Sequence, residues 1–87
     1  MIDFIMSEEG FKLIYDFGQK FNCTIRIDEP SSFNLTVDIN DRSYLIPSDL
    51  SVDRFKKIIG ESVKTGKNLL FDVVKNSEIK YDSNVLY

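Results

Sequence analysis

Between Ser7 and Ile46 the spacing of apolar residues switches from helical to alternating, and that switch constrains the fold more than any other feature of the chain. Phe11, Ile14, Tyr15, Gly18 and Phe21, flanked by Leu13 and Phe17, recur at the i, i+3, i+4 spacing of one helical stripe. Ser7 offers a capping hydroxyl, and Glu8 and Glu9 face the positive end of the helix dipole. Glu8–Lys12 and Asp16–Lys20 add favourable i,i+4 pairs. These signals predict a helix over about residues 7–21. Gly18 sits on the apolar stripe, where another element can approach closely.

After Asn22 the period becomes two. Cys23, Ile25 and Ile27 alternate with Thr24, Arg26 and Asp28, then Phe33, Leu35, Val37 and Ile39 alternate with Asn34, Thr36, Asp38 and Asn40. Asn40-Asp41 suits a two-residue hairpin turn because both residue types tolerate positive φ. That turn pairs Ile39 with Arg42, Val37 with Tyr44 and Leu35 with Ile46. For the first hairpin, a loop of Asp28 to Ser32 keeps the faces matched, pairing Ile27 with Phe33, Ile25 with Leu35 and Cys23 with Val37. A shift by one residue would turn every side chain to the wrong face. The expected polar face carries Thr24, Arg26, Asn34, Thr36, Asp38, Ser43 and Leu45.

Pro47 ends the third strand. Ser48 or Ser51 caps a second helix with a stripe of Val52, Phe55, Ile59, Ser62 and Val63, supported by Ile58 and stopped at Gly66. Beyond it, Leu69, Leu70, Val73 and Val74 favour a short third helix with Asn68 as cap and Asn76 as stop. The β-branched pair and Phe71 leave a fourth strand open. Residues 77–87 read as a short strand or a docked tail. The expected fold is α+β in two layers: a three-stranded antiparallel meander packed by helices, in the order α-β-β-β-α, plus a C-terminal helix or strand. With 87 residues it forms a single domain, 1–87.

The chemistry is restricted by what is missing. The chain has no histidine and one cysteine, so Ser-His and Cys-His pairs, His-ligated zinc and an internal disulfide are unavailable within it. Cys23 opens an apolar alternation and reads as a small buried hydrophobe. Asp28-Glu29 and Asp38-x-Asn40-Asp41 lie at hairpin turns, where turn propensity accounts for them without a metal, and the calcium-loop pattern is absent. Nothing calls for a cofactor, and a non-enzymatic protein is expected. The start of the chain lacks a signal-peptide pattern, and no apolar run nears the roughly 20 residues that span a bilayer. A cytoplasmic protein without membrane contact is the expectation.

Charge is uneven. Residues 1–50 carry nine acids and four bases, net -5, whereas residues 51–87 carry five acids and seven bases, net +2. The acidic half opposes direct nucleic-acid binding, which needs a basic surface. Arg54, Lys56, Lys57, Lys64 and Lys67 mostly avoid the second helix's apolar stripe and form a solvated face. The element order resembles double-stranded RNA-binding domains, but the basic start of their second helix is matched only by Lys56-Lys57, and no residue is carried across. Size, acidity and layout also resemble some small phage-encoded inhibitors of bacterial defence, including certain anti-CRISPR proteins. That resemblance is of layout over the whole chain and transfers no positions. It implies a host-defence antagonist.

The functional expectation is therefore a protein-binding module that occludes or regulates a larger protein. Its expected contact residues are Arg26, Asp28, Glu29, Asp38 and Asp41, the acidic turns and the polar sheet face, which can act by mimicking nucleic-acid charge or by shape. The alternative is a structural module that self-associates as a homodimer. Eleven aromatic residues and the ending Val85-Leu86-Tyr87 supply apolar surface beyond one small core.

Overall fold

Each of the three longer helices begins where a side chain satisfies an otherwise free backbone N–H. Ser7 Oγ accepts from Gly10 N at 3.1 Å, Ser51 Oγ from Arg54 N at 3.2 Å and Asn68 Oδ1 from Phe71 N at 3.0 Å. The computed structural model describes residues 1–27 and 34–79. In chain order it contains α1 (Ile2–Ile5), α2 (Glu8–Phe21), β1 (Cys23–Ile27), β2 (Leu35–Ile39), β3 (Arg42–Leu45), α3 (Val52–Thr65) and α4 (Leu69–Val74). This is the α+β arrangement expected, with a third helix over the segment where helix and strand had competed. Helix α1 is an addition. Asn22 (φ 54°) and Gly66 (φ 79°) end α2 and α3 in the left-handed region.

The sheet is a meander in the order β1-β2-β3. Asn40 (φ 52°) and Asp41 (φ 66°) both have positive φ, the geometry of a tight hairpin turn, and they set Ile39 opposite Arg42 and Val37 opposite Tyr44. The first hairpin corrects the expected register. Cys23 pairs with Ile39, Ile25 with Val37 and Ile27 with Leu35, two residues further along β2 than the sequence pattern suggested. A shift of two preserves the faces, so alternation alone cannot distinguish these registers. The observed one runs β1 along the whole of β2 and sets Arg26 diagonal to Asp38, with which it forms an ion pair. Phe33 and the loop Asp28–Ser32 lie outside the described residues.

The register also fixes where the backbone groups of β1 point. Ile46 N donates to Leu35 O at 2.9 Å, and the hairpin makes Ile39 and Arg42 a hydrogen-bonded pair, so Leu35, Val37 and Ile39 direct their peptide groups toward β3. Thr36 and Asp38 face β1, where they meet Arg26 and Thr24. By the same alternation, Cys23, Ile25 and Ile27 direct theirs away from the sheet. The β3 edge is covered instead: Tyr44 bridges Glu78, Leu45 N donates to Ser77 O at 3.0 Å, and Ile79 N donates to Ser43 O at 2.8 Å. No described residue pairs with the outer edge of β1.

The core lies between this sheet and the helices. Phe17, Val37, Phe55, Ile59, Leu70 and Val74 are fully buried, with Cys23, Leu35, Ile39, Tyr44 and Ile46 around them. Ser62, also buried, donates to Ile58 O at 2.7 Å and accepts from Leu69 N at 2.9 Å, which ties α3 to the first turn of α4. Thr36 corrects the expected polar face: it is fully buried, and its Oγ1 has no hydrogen-bond partner among the described residues.

Helix α2 is rotated from the expected stripe. Gly10 and Phe17 are buried, Leu13, Ile14 and Phe21 are half-buried, and Phe11 and Tyr15 face outward at 68% and 56% exposure. The cause is α1. A Cβ on Gly10 would lie 1.9 Å from the Phe4 carbonyl oxygen, so only glycine permits this approach. Phe4 then packs edge-on against Phe55, with ring centroids 6.2 Å apart. Lys56 lies 5.5 Å above the Phe4 ring and reaches Glu9 at 3.1 Å, joining α1, α2 and α3. Turning Gly10 inward turns Phe11, about 100° further round the helix, outward.

Two glycine substitutions separate packing from propensity. Gly60→Ala, in the interior of α3 with open space around the new methyl, is expected to raise stability by about 0.5–1 kcal/mol. Gly10→Ala must displace the α1 backbone and is expected to lower it by about 1–3 kcal/mol. Urea midpoints of the two variants check this, and equal effects of one sign would contradict the close approach at Gly10.

Candidate functional site

Of the expected contact residues, the structure brings Arg26 and Asp38 together. Arg26 Nε lies 3.0 Å from Asp38 Oδ2, and Ser43 Oγ donates to Asp38 Oδ1 at 2.6 Å. One acidic side chain is thereby spanned from β1 on one side and β3 on the other. The Ser43 hydrogen bond, aided by Arg26, holds the Asp38 carboxyl below its ordinary range against the opposing effect of burial. Asp38 was expected at an exposed hairpin, but it is a half-buried strand residue committed to two partners. Asp41 stands apart at the exposed turn. Asp28 and Glu29 lie outside the described residues.

Asn22, Thr24, Asp38, Asn40, Asp41 and Ser43 line an open polar hollow of about 530 Å³ at this end of the sheet. Its polar groups are amides, hydroxyls and two carboxylates, one of which is already ion-paired to Arg26. Among the described residues no three His, Cys, Asp or Glu side chains gather closely enough to hold a metal ion. The hollow can hydrogen-bond a polar surface, but it holds no paired acid and base.

A second surface was not expected from the sequence. The rings of Phe11 and Tyr15 stack at 6.5 Å between centroids and 19° between planes on the outward flank of α2. Between them and β1 runs a groove of about 300 Å³, lined by Phe11, Ile14, Tyr15, Gly18, Cys23 and Ile25 and rimmed by Gln19, Asn22 and Thr24. None of these lining residues is charged. One wall is aromatic, and the other is the outer edge of β1. At Gly18 the helix lies directly against that strand: a Cβ there would lie 2.8 Å from the Cys23 carbonyl oxygen. Ile27, 40% exposed, continues the apolar surface along the strand. Such an edge beside large exposed rings offers both main-chain hydrogen bonds and apolar contact.

Helical spacing alone placed Phe11 and Tyr15 on the buried stripe. The signal that could have moved them was Gly10, whose missing side chain marks a close approach as plainly as Gly18 does. Cys23, at the end of the groove, is 8% exposed. Burial raises its thiol above the ordinary value, offset in part by the Asn68 side chain. No protein-family model, curated protein or solved structure matches this chain.

Two measurements follow from the geometry. Because the folded Asp38 carboxyl titrates below its unfolded value, its contribution to stability is present above about pH 4 and is lost as pH falls through the folded value. Asp38→Asn is expected to flatten the acid limb of a stability-versus-pH curve, and an unchanged limb would contradict the Ser43–Asp38–Arg26 arrangement. Cys23 is expected to react slowly with a thiol reagent at neutral pH in the folded protein and rapidly once unfolded. Equal rates would contradict its burial.

Proposed function

We propose that this protein is a non-enzymatic, cytoplasmic protein-binding module that occludes or regulates a larger protein, gripping it along the outer edge of β1 beneath Phe11 and Tyr15. The observation that carries this reading is the stacked aromatic pair, more than half exposed beside a strand edge that no described residue pairs. Helices of this size ordinarily bury such rings, and exposed aromatics are typical anchors of protein interfaces. An extended partner segment placed on the edge would bond to the peptide groups of Ile25 and Ile27 and lay its side chains under the rings.

The expected polar contacts belong to this reading as a flank. Arg26 shares β1 with the groove and is ion-paired to Asp38 on the neighbouring strand, while Asp41 adds a negative charge at the turn. Asp41 can steer a basic partner, because it is exposed, and asparagine in its place removes the charge while tolerating the positive φ that the turn requires. Asp38 cannot, because its reversal would break the contacts with Ser43 and Arg26. Antagonism of a bacterial defence protein, the role implied by the resemblance in layout, is the narrower form of the proposal. The open β1 edge favours self-association as a second reading.

The test is capture of a stoichiometric partner from the native host, repeated with variants. Phe11→Ala and Tyr15→Ala should each weaken capture about ten-fold or more while leaving the thermal midpoint nearly unchanged, since each removes an exposed anchor of at least about 1–2 kcal/mol. Asp41→Asn, which keeps a residue type suited to the turn, should slow association and reduce its salt dependence. Capture indifferent to both aromatic substitutions would sink the reading.

A further inference from the structure

We propose that the outer edge of β1 pairs antiparallel with β1 of a second copy of this chain, about a two-fold axis at Ile25, so that the free protein closes its own binding groove. This rests on the reading that the β1 edge and the Phe11–Tyr15 pair form the binding site. The proposal begins with an asymmetry of the sheet. One edge is capped by residues 77–79, through Leu45 N to Ser77 O at 3.0 Å and Ile79 N to Ser43 O at 2.8 Å. No described residue pairs with the other edge, which α2 overhangs only at Cys23. Residues 23–27 contain no proline, glycine or lysine and no bulge against β2.

The register follows from parity and charge. Cys23, Ile25 and Ile27 direct their peptide groups outward, so antiparallel self-pairing must match these positions with one another. Centring the axis on Arg26 would match Ile25 with Ile27 but set the two Arg26 side chains directly opposite, which is unfavourable. Centring it on Ile25 sets Thr24 of each copy opposite Arg26 of the other. Ile25 then exchanges N–H and C=O bonds with its own counterpart, and each Cys23 N–H donates to an Ile27 carbonyl. The Cys23 carbonyl stays turned against Gly18. Arg26 is the one charged residue in 23–27, and each copy keeps it ion-paired to its own Asp38 at 3.0 Å. Two chains of net charge -3 therefore meet at an edge that adds no unpaired like charge.

The occupant suits the groove on its other face as well. Ile25 and Ile27 of the incoming strand point to the same side as α2, so they enter under Phe11 and Tyr15, and the arrangement is reciprocal. The three-stranded sheets join into a continuous six-stranded antiparallel sheet. Occupation of the edge by a second copy excludes a larger partner from the same edge. Dilution or partner excess frees it, so self-pairing regulates capture.

Light scattering over about 1–200 µM tests this, since an interface built on one short strand and two rings is expected in the micromolar range. The 10.1 kDa chain should double in apparent mass across that range. Hydrogen exchange at the two ends of the range reads the register directly. The Ile25 and Cys23 amides, the two that donate across the pairing, should exchange about ten-fold or more slowly at the high end, with the Thr24 and Arg26 amides, already bonded to β2, little changed. Ile25→Pro removes an N–H that the β1–β2 ladder does not use, and it should hold the protein monomeric. If that variant fails to fold, the wild-type exchange data decide.

A monomer throughout the range, a dimer whose Ile25 and Cys23 amides exchange freely, or amides protected equally at every concentration would each overturn the pairing. So would a folded Ile25→Pro variant that still dimerises. The two proposals fail separately. A monomer that captures its partner through Phe11 and Tyr15 removes the pairing and keeps the binding site. A β1-paired dimer whose partner capture ignores both aromatic substitutions does the reverse.

Discussion

The approach of α1 to Gly10 is the constraint on which the arrangement of this protein depends. A methyl group in place of the glycine hydrogen would overlap the Phe4 carbonyl, at 1.9 Å. Because the contact is with backbone, side-chain rotation cannot relieve it. It sets the angle at which α2 lies on the sheet, and that angle has consequences on both sides of the helix. Inward, Phe17 reaches the centre of the core with no exposed surface. Outward, Phe11 and Tyr15 are left beside β1. Lys56 holds the same junction from α3, through the Phe4 ring and Glu9.

The second consequence concerns the sheet edges. Helix α2 passes into β1 through a single residue, Asn22, whose left-handed conformation folds the strand back beneath the helix. Gly18 allows the two to touch at the Cys23 carbonyl. The helix thereby overhangs the edge of β1 without pairing to it, making a groove with a peptide wall and an aromatic wall. At the far side of the sheet, residues 77–79 cover β3. The polar elements expected to make contact occupy a different position: Arg26, Asp38 and Ser43 tie the strands to one another, and Asp41 is left exposed at the turn.

Much of this layout is legible in the residues. Ser7, Ser51 and Asn68 mark the helix starts, Gly66 marks a helix end, and Asn40-Asp41 carries the turn that sets the second hairpin's register. These are local signals, in which the residue type and the backbone conformation it favours coincide. The rest depends on contacts distant in sequence or on choices that alternation cannot make. A two-residue slip between β1 and β2 leaves every side chain on the same face, so it was settled by the Arg26–Asp38 diagonal and the reach of β1 to the hairpin turn. Ile2–Ile5 is too short to announce itself as a helix, and without it nothing indicates how far α2 is turned. For that reason Phe11 and Tyr15 read as core.

The central claim is the rotation of α2, and nuclear Overhauser effects within one protomer test it most directly. The account predicts contacts from the Gly10 α-protons to Phe4 and Ile5, and from the Phe11 ring to the Tyr15 ring, with none from either ring to the methyl groups of Val37 or Ile59. Cross-peaks from Phe11 or Tyr15 to those core methyls, together with Gly10 facing solvent, would contradict it.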